Sequence, residues 1–153
     1  MALNETEEAR CLSLATELAR EAGGVLLEHL GRLDPREITS KSAARDLVTA
    51  ADVASERHLV ARLREAFPDH HIESEEEVQD DPDASGPRWF VDPLDGTVNF
   101  VHRLPCFGVS MGLWVDGEPR VAVVHAPRLK ETFTARAGAG ACLNGQPIHV
   151  SGV

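Results

Sequence analysis

From Phe107 onward the chain alternates short apolar runs with turn dipeptides, and this constrains the fold more than any other feature. Phe107–Val115 and Arg120–Ala126 flank Asp116-Gly117. Asp-Gly adopts the positive φ angles of a two-residue turn, so the runs are predicted to pair as a hairpin. Thr132–Ala135 adds a strand after Pro127. Gly138–Leu143 and Pro147–Val150 flank Asn144-Gly145 as a second hairpin. Two stretches with helical periodicity precede this meander. In residues 5–30, Leu12, Leu14, Ala15, Leu18, Ala19, Ala22, Val25, Leu26 and Leu30 recur near the helical period. Gly23-Gly24 weakens that helix or admits a close neighbour. Residues 38–48 are expected as a loop with extended pieces, and Asp52 as the start of a second helix ending at 66. Val53, His58, Leu59, Val60, Leu63 and Ala66 form its apolar stripe, and Glu56, Arg57, Arg62, Arg64 and Glu65 are largely its solvated face. Helices followed by strands predict an α+β fold, two N-terminal helices packed on a mainly antiparallel sheet.

A chain of 153 residues fits one domain, 1–153, and 42% apolar residues suffice for a core. Aromatics are only 5% with no Tyr, so aliphatic packing must dominate. The net charge of -10 argues against binding nucleic-acid polymers, which requires basic patches. Cys11, Cys106 and Cys142 form neither a disulfide framework nor a zinc spacing, and are expected as buried free thiols. There is no secretory signal and no apolar run long enough to span a membrane, so a cytoplasmic, soluble protein is expected. Residues 78–87 have nothing apolar to pack after Val78 and are expected as a mobile surface loop.

The chemistry gathers at Trp89-Phe90-Val91-Asp92-Pro93-Leu94-Asp95-Gly96-Thr97-Val98-Asn99-Phe100. Trp89–Val91 is expected as a short buried strand that Pro93 ends, lacking an N–H for the ladder. Gly96 permits a turn or a close approach, and Thr97–Phe100 a helical turn whose free N–H groups suit an anion. Asp92 and Asp95 offer hard oxygen ligands beside it. Taken alone, Asp-x-x-Asp-Gly is either a turn or a metal site, and it lacks the closing Glu of an EF-hand. Two further stretches bear on the choice. Ile72-Glu73-Ser74-Glu75-Glu76-Glu77 follows what reads as a strand end at Ile72, with at least two of its glutamates solvated. Asp52 closes Asp46-Leu47-Val48-Thr49-Ala50-Ala51-Asp52 as a helix cap or a catalytic group, and Lys41 is a surface charge or a site residue.

Together these segments resemble the inositol monophosphatase family of magnesium-dependent, lithium-sensitive phosphatases. Asp46–Asp52 resembles the segment before the family's second helix. Ser74-Glu75-Glu76 resembles its Gly-Glu-Glu motif, with Ser74 in place of the usual Gly. Trp89–Phe100 resembles its Trp-x-x-Asp-Pro-x-Asp-Gly-Thr-x-Asn-Phe, which Pro105 and Ser110-Met111-Gly112 continue. Gly138–Gly145 resembles its later hairpin. The likeness runs from about residue 8 to 151. It implies the N-terminal, metal-binding half of a layered αβαβα fold and Mg2+-dependent hydrolysis of inositol phosphate or a related small phosphate monoester by metal-activated water. Two or three ions are expected in a complete site. Glu75, Asp92, the Leu94 carbonyl and Asp95 would hold Mg2+. Gly96 and Thr97, with Asp95 and Lys41, would bind the substrate. Glu75, or Thr97 backed by Asp52, would take the proton. The family's later Trp-Asp-x-Ala-Ala-Gly motif does not occur, and the chain ends at Val153. A fragment, a truncated gene product and a subunit all fit, as do a homodimer and a complementing C-terminal half. A second reading is a catalytically incomplete metal-binding or assembly module.

Two other enzyme classes fail on the residues. His71-Ile72-Glu73 and Pro105-Cys106 resemble a zinc deaminase pattern, but Val109 stands where its next cysteine belongs. Gly108-Val109-Ser110-Met111-Gly112 matches Gly-x-Ser-x-Gly inside an expected strand, whereas a nucleophile elbow needs a strand-to-helix turn. His70 and His71 are expected as exposed loop histidines.

Overall fold

The computed structural model of the chain describes residues 3–32, 41–76 and 78–152, with backbone only at 41, 43 and 47. The element order is α1 (Glu5–Gly31), α2 (Lys41–Ala66), β1 (His71–Ser74), β2 (Arg88–Asp95), α3 (Thr97–Val101), β3 (Gly108–Val115), β4 (Glu118–Ala126), β5 (Glu131–Arg136), β6 (Gly140–Leu143) and β7 (Gln146–Ile148). The strands form one sheet in sequence order. β1 runs parallel to β2, and every later neighbour is antiparallel.

Both long helices pack on one face of the sheet. Asn4 starts α1 with a capping box, its side chain taking Glu7 N–H while the Glu7 carboxylate takes Asn4 N–H. The apolar stripe of α1 buries Cys11, Ala15, Leu18, Ala19, Ala22, Leu26 and Leu30 against Val109, Met111, Leu113, Val121 and Val123 of the sheet. Gly23 admits the close neighbour: a Cβ there would sit 2.6 Å from His125 Cδ2. Glu8 is buried in α1 and paired with Arg120 at 2.6 Å and Arg136 at 3.7 Å, tying the helix to the meander.

α2 starts at Lys41, eleven residues before its expected start at Asp52. Residues 42–51 contain no Gly or Pro and four alanines, which favours helix. Val48, Ala51, Ser55 and Leu59 continue its inward stripe at helical spacing. Asp52 therefore caps nothing; it is buried mid-helix. The loop expected over 38–48 is helix from 41 on, and 38–40 lie outside the described residues.

β1 runs past Ile72 to Ser74. β2 is not stopped by Pro93, because that proline sits in a bulge, where a missing N–H costs no ladder bond. His70 is not exposed; it stacks on Phe67 at 4.7 Å and accepts a 3.1 Å hydrogen bond from Trp89 Nε1. His71 is half-buried in β1, its Nε2 3.0 Å from the Ser85 carbonyl. Of the three free thiols only Cys11 is buried, and Cys106 is exposed. The connection through 78–87 is tied down: Asp80 takes Ile72 N–H and an ion pair from Arg64, and Arg88 donates to the Asp81 carbonyl. Among the described residues no helix is long and apolar enough to cross a membrane.

Among the described residues, no helix layer packs on the other face of the sheet. Phe90, Trp114, Val124, Phe133 and Ile148 are each 37–42% exposed on it.

Candidate active site

The site begins as an irregularity in β2. Asp92 pairs with Ser110 and Asp95 with Gly108, so three steps along β2 match two along β3. One residue too many makes a bulge. Side chains three apart on a regular strand point to opposite faces. Ser110 and Gly108 lie two apart, so their partners Asp92 and Asp95 share a face. Pro93 and Leu94 absorb the irregularity with both side chains buried. Ser55 Oγ donates to the Pro93 carbonyl at 2.7 Å, clamping the bulge to α2, and Leu94 N–H donates to Asp92 Oδ1 at 3.2 Å.

Gly96 follows with φ of 82°, in the left-handed region, and caps α3. A Cβ there would meet the Cys106 carbonyl oxygen at 2.8 Å, so this position needs glycine for both conformation and space. Thr97 opens α3 and is exposed; Phe100 anchors the short helix in the core, and Asn99 Nδ2 donates to the Cys106 carbonyl at 2.6 Å. Thr97, Val98 and Val101 line a hollow of about 270 Å3 with Arg45 and Val48 of α2. Lys41 opens α2, and its side chain lies outside the described ones.

Glu75 comes off the end of β1, its N–H donating to the Val91 carbonyl at 3.2 Å. Its carboxyl hydrogen-bonds that of Asp92. Burial, then the Glu75 charge and that bond, and then Asp95 push Asp92 up to about 7. Asp52 is likewise raised to about 7, first by burial, then by Glu76, Asp92, Glu75 and Glu56. Its Oδ1 is buried with no hydrogen-bond partner. Asp52, Ser55 and Glu56 lie on one face of α2, and all three turn toward the ends of β1 and β2.

Glu56 was expected on the solvated face. It is 3% exposed and accepts a 2.6 Å hydrogen bond from Ser74 Oγ. The available signal was its place one turn after Asp52.

The structure thus brings Asp52, Glu56, Glu75, Glu76, Asp92 and Asp95 into one field, with Gly96 and Thr97 beside it. The groups raising Asp52 are all acids, and one of its oxygens is orphaned. That donor chemistry fits a hard divalent cation. Among the described residues, however, no three acidic, histidine or cysteine side chains close around an ion position.

The sequence matches the model of the inositol monophosphatase family over residues 7–153. It is 41% identical over 140 residues to the fructose-1,6-bisphosphatase/inositol-1-monophosphatase of Thermotoga maritima, covering 92% of this chain and 53% of that one. It is 41% identical over 143 residues to the Nus factor SuhB of Pseudomonas aeruginosa, covering 92% and 52%. The fold superposes on the inositol monophosphatase of Anabaena with a TM-score of 0.80 at 39% identity, covering 95% of this chain and 51% of that one. The chain spans about half the length of the relatives it matches.

Proposed function

The chain belongs to the inositol monophosphatase family, and from that premise we propose that it carries the metal-binding half of a Mg2+-dependent phosphate monoester hydrolase. The observation that carries this reading is the acid field at the bulged end of β2, where burial and Glu75 push Asp92 up to about 7 and Asp52 holds an orphaned buried oxygen. Such a field is stabilised by a divalent cation, and Glu75, Asp92, Asp95 and the Leu94 carbonyl are the oxygens for it. When bound, Mg2+ supplies charge neutralisation at phosphorus and a water of lowered pKa.

The chain's own residues do the rest. The N–H groups of Gly96 and Thr97 hold the phosphate, Gly96 allowing the close backbone approach. Glu75 receives the proton of the attacking water, or Thr97 Oγ1 does with Asp52 behind it. Asp52 is near half-protonation at neutral pH, which suits a group that relays a proton. Arg45 lines the hollow beside Thr97, and Lys41 is assigned to the substrate site by the family resemblance alone. The substrate is a small phosphate ester: inositol-1-phosphate and a sugar bisphosphate are the classes in the Thermotoga relative's name. Because the relatives carry about as much chain again, full activity is assigned to this chain only with a complementing half or a second copy.

The experiment joins this chain to the second half of the Thermotoga maritima relative and measures phosphate release from inositol-1-phosphate. Mg2+-dependent turnover is expected, and Asp95→Asn should lower it by at least about 10- to 100-fold, as a lost ligand must cost no less than a lost supporting partner. Turnover that ignores Mg2+ or Asp95→Asn sinks the proposal.

A second reading, a metal-binding or assembly module without turnover, is favoured by relatives named as Nus factors. Mg2+ binding with no phosphate release in the joined protein is its outcome.

A further inference from the structure

The two strand ends that carry the acids are held from a single turn of α2. Asp52, Ser55 and Glu56 stand at i, i+3 and i+4, so they share one face of the helix. All three are buried. Ser55 reaches β2, its Oγ donating to the Pro93 carbonyl at 2.7 Å. Glu56 reaches β1, its Oε2 accepting from Ser74 Oγ at 2.6 Å. Adjacent residues of one rigid helix thus grip adjacent strands. One grip falls immediately before Glu75 and the other immediately after Asp92.

Both grips fall where the ladder gives little hold. Pro93 lies in the bulge between the Asp92–Ser110 and Asp95–Gly108 pairs, with no register partner on β3, and it has no N–H to offer. An unpaired residue in a bulge is fixed by what packs on it, not by the ladder. β1 is a four-residue strand at the sheet edge. Past Ser74 its link to β2 is the bond from Glu75 N–H to the Val91 carbonyl. Side-chain bonds from α2 supply the constraint that the sheet lacks at both points.

The chemistry of Glu56 points beyond a structural clamp. Taking a carboxylate out of water is costly, and a packed apolar side chain would hold α2 on the sheet without that cost. Glu56 also adds to the acid field, being one of the charges that raise Asp52. A divalent cation in the field offsets this repulsion. We propose that Ser55 and Glu56 are positioning residues for the cation: through Pro93 and Ser74 they set the separation of Asp92 and Glu75, and with it the affinity for Mg2+. This rests on the Mg2+ reading above and adds to it residues outside the ligand set. Ser74 stands where the motif it resembles has glycine, which offers no hydroxyl, so the grip on β1 belongs to this chain's own sequence.

The test is titration calorimetry of the 153-residue chain with Mg2+ alone, well below the melting temperature of each variant, with urea midpoints measured in EDTA alongside. Ser55→Ala and Ser74→Ala should each weaken Mg2+ binding about 10-fold, as loss of a supporting partner does at a metal site. Ser55→Thr and Ser74→Thr keep the hydroxyl and should recover most of that affinity. Leu63→Val disturbs the buried face of the same helix away from the acids. It should lower the urea midpoint and leave the Mg2+ dissociation constant unchanged. Where an alanine variant does not fold, cysteine at the same position, nearly the same size and only a weak donor, replaces it and should weaken binding likewise. Alanine variants that bind Mg2+ as wild type does, or no worse than Leu63→Val, would overturn the proposal and leave the Mg2+ reading standing. Threonine variants as weak as the alanine ones would overturn it too. A wild-type chain that gives neither heat nor a melting shift with Mg2+ sinks the Mg2+ reading itself, and the proposal with it.

Discussion

Ser74 Oγ donates a 2.6 Å hydrogen bond to Glu56 Oε2, and both side chains are buried, at 2% and 3% exposure. The bond joins the middle of α2 to the last residue of β1. It fixes the backbone from which Glu75 departs. Ser74→Ala takes that donor from a buried carboxylate, so stability should fall by about 1–3 kcal/mol. The check is a lower urea midpoint at unchanged m value. An unshifted midpoint means that the bond carries nothing net.

Asp52 and Asp92 protonate near 7 in the folded chain, against about 3.8 as model carboxyls. Between those values the unfolded chain has released its protons while the folded chain keeps them. Metal-free stability should therefore be full below about 3.8 and be lost as pH rises through about 7. Mg2+ should remove the loss by neutralising the ionised acids. Melting curves in EDTA and in Mg2+ from pH 4 to about 8 read this directly. In Asp92→Asn the EDTA slope should be shallower and the Mg2+ effect smaller; equal slopes in the two proteins refute the assignment.

His70 has the opposite sign. Its Nδ1 can accept from Trp89 only while unprotonated, and burial holds its pKa below the usual 6.5. Its contribution is present above 6.5 and lost as pH falls from there toward the lower folded value. His70→Phe keeps the stack but cannot titrate. The stability advantage of wild type over His70→Phe should therefore shrink between pH 7 and 5. A constant difference in urea midpoint across that range would falsify the neutral-acceptor role.

Gly96→Ala forces a side chain into the left-handed region and puts Cβ 2.8 Å from the Cys106 carbonyl oxygen. The conformation alone costs about 1–2 kcal/mol, and the contact adds to it. A lowered melting point together with loss of Mg2+ heat by titration calorimetry is expected, since Asp95 and Thr97 flank the displaced residue. Unchanged melting and heat would show that the bend is soft.

By itself the chain should release phosphate from monoesters at least about 100-fold more slowly than when joined to a relative's second half, since misplaced reacting groups alone cost that much. Equal rates on inositol-1-phosphate would show that this half, or a pair of them, is sufficient.

The sequence by itself determined the features written in local chemistry. Asp116-Gly117 and Asn144-Gly145 specify hairpins because their backbones take positive φ, and the antiparallel meander forms around them. The apolar stripe of α1 specified a helix and its buried face together. The Asp92–Thr97 run announced acids beside a glycine turn. What only the tertiary structure decided depends on partners far along the chain. Residues 41–48 read as a loop because half a stripe is no signal until Val48 meets the core. Pro93 reads as a stop until the bulge, clamped by Ser55 from α2, absorbs it and turns Asp92 and Asp95 to one face. Glu56 reads as a solvated charge until Ser74 closes on it. A turn depends on two adjacent residues. A buried acid depends on what folding places over it, because burial and neighbouring charge are properties of the packed molecule.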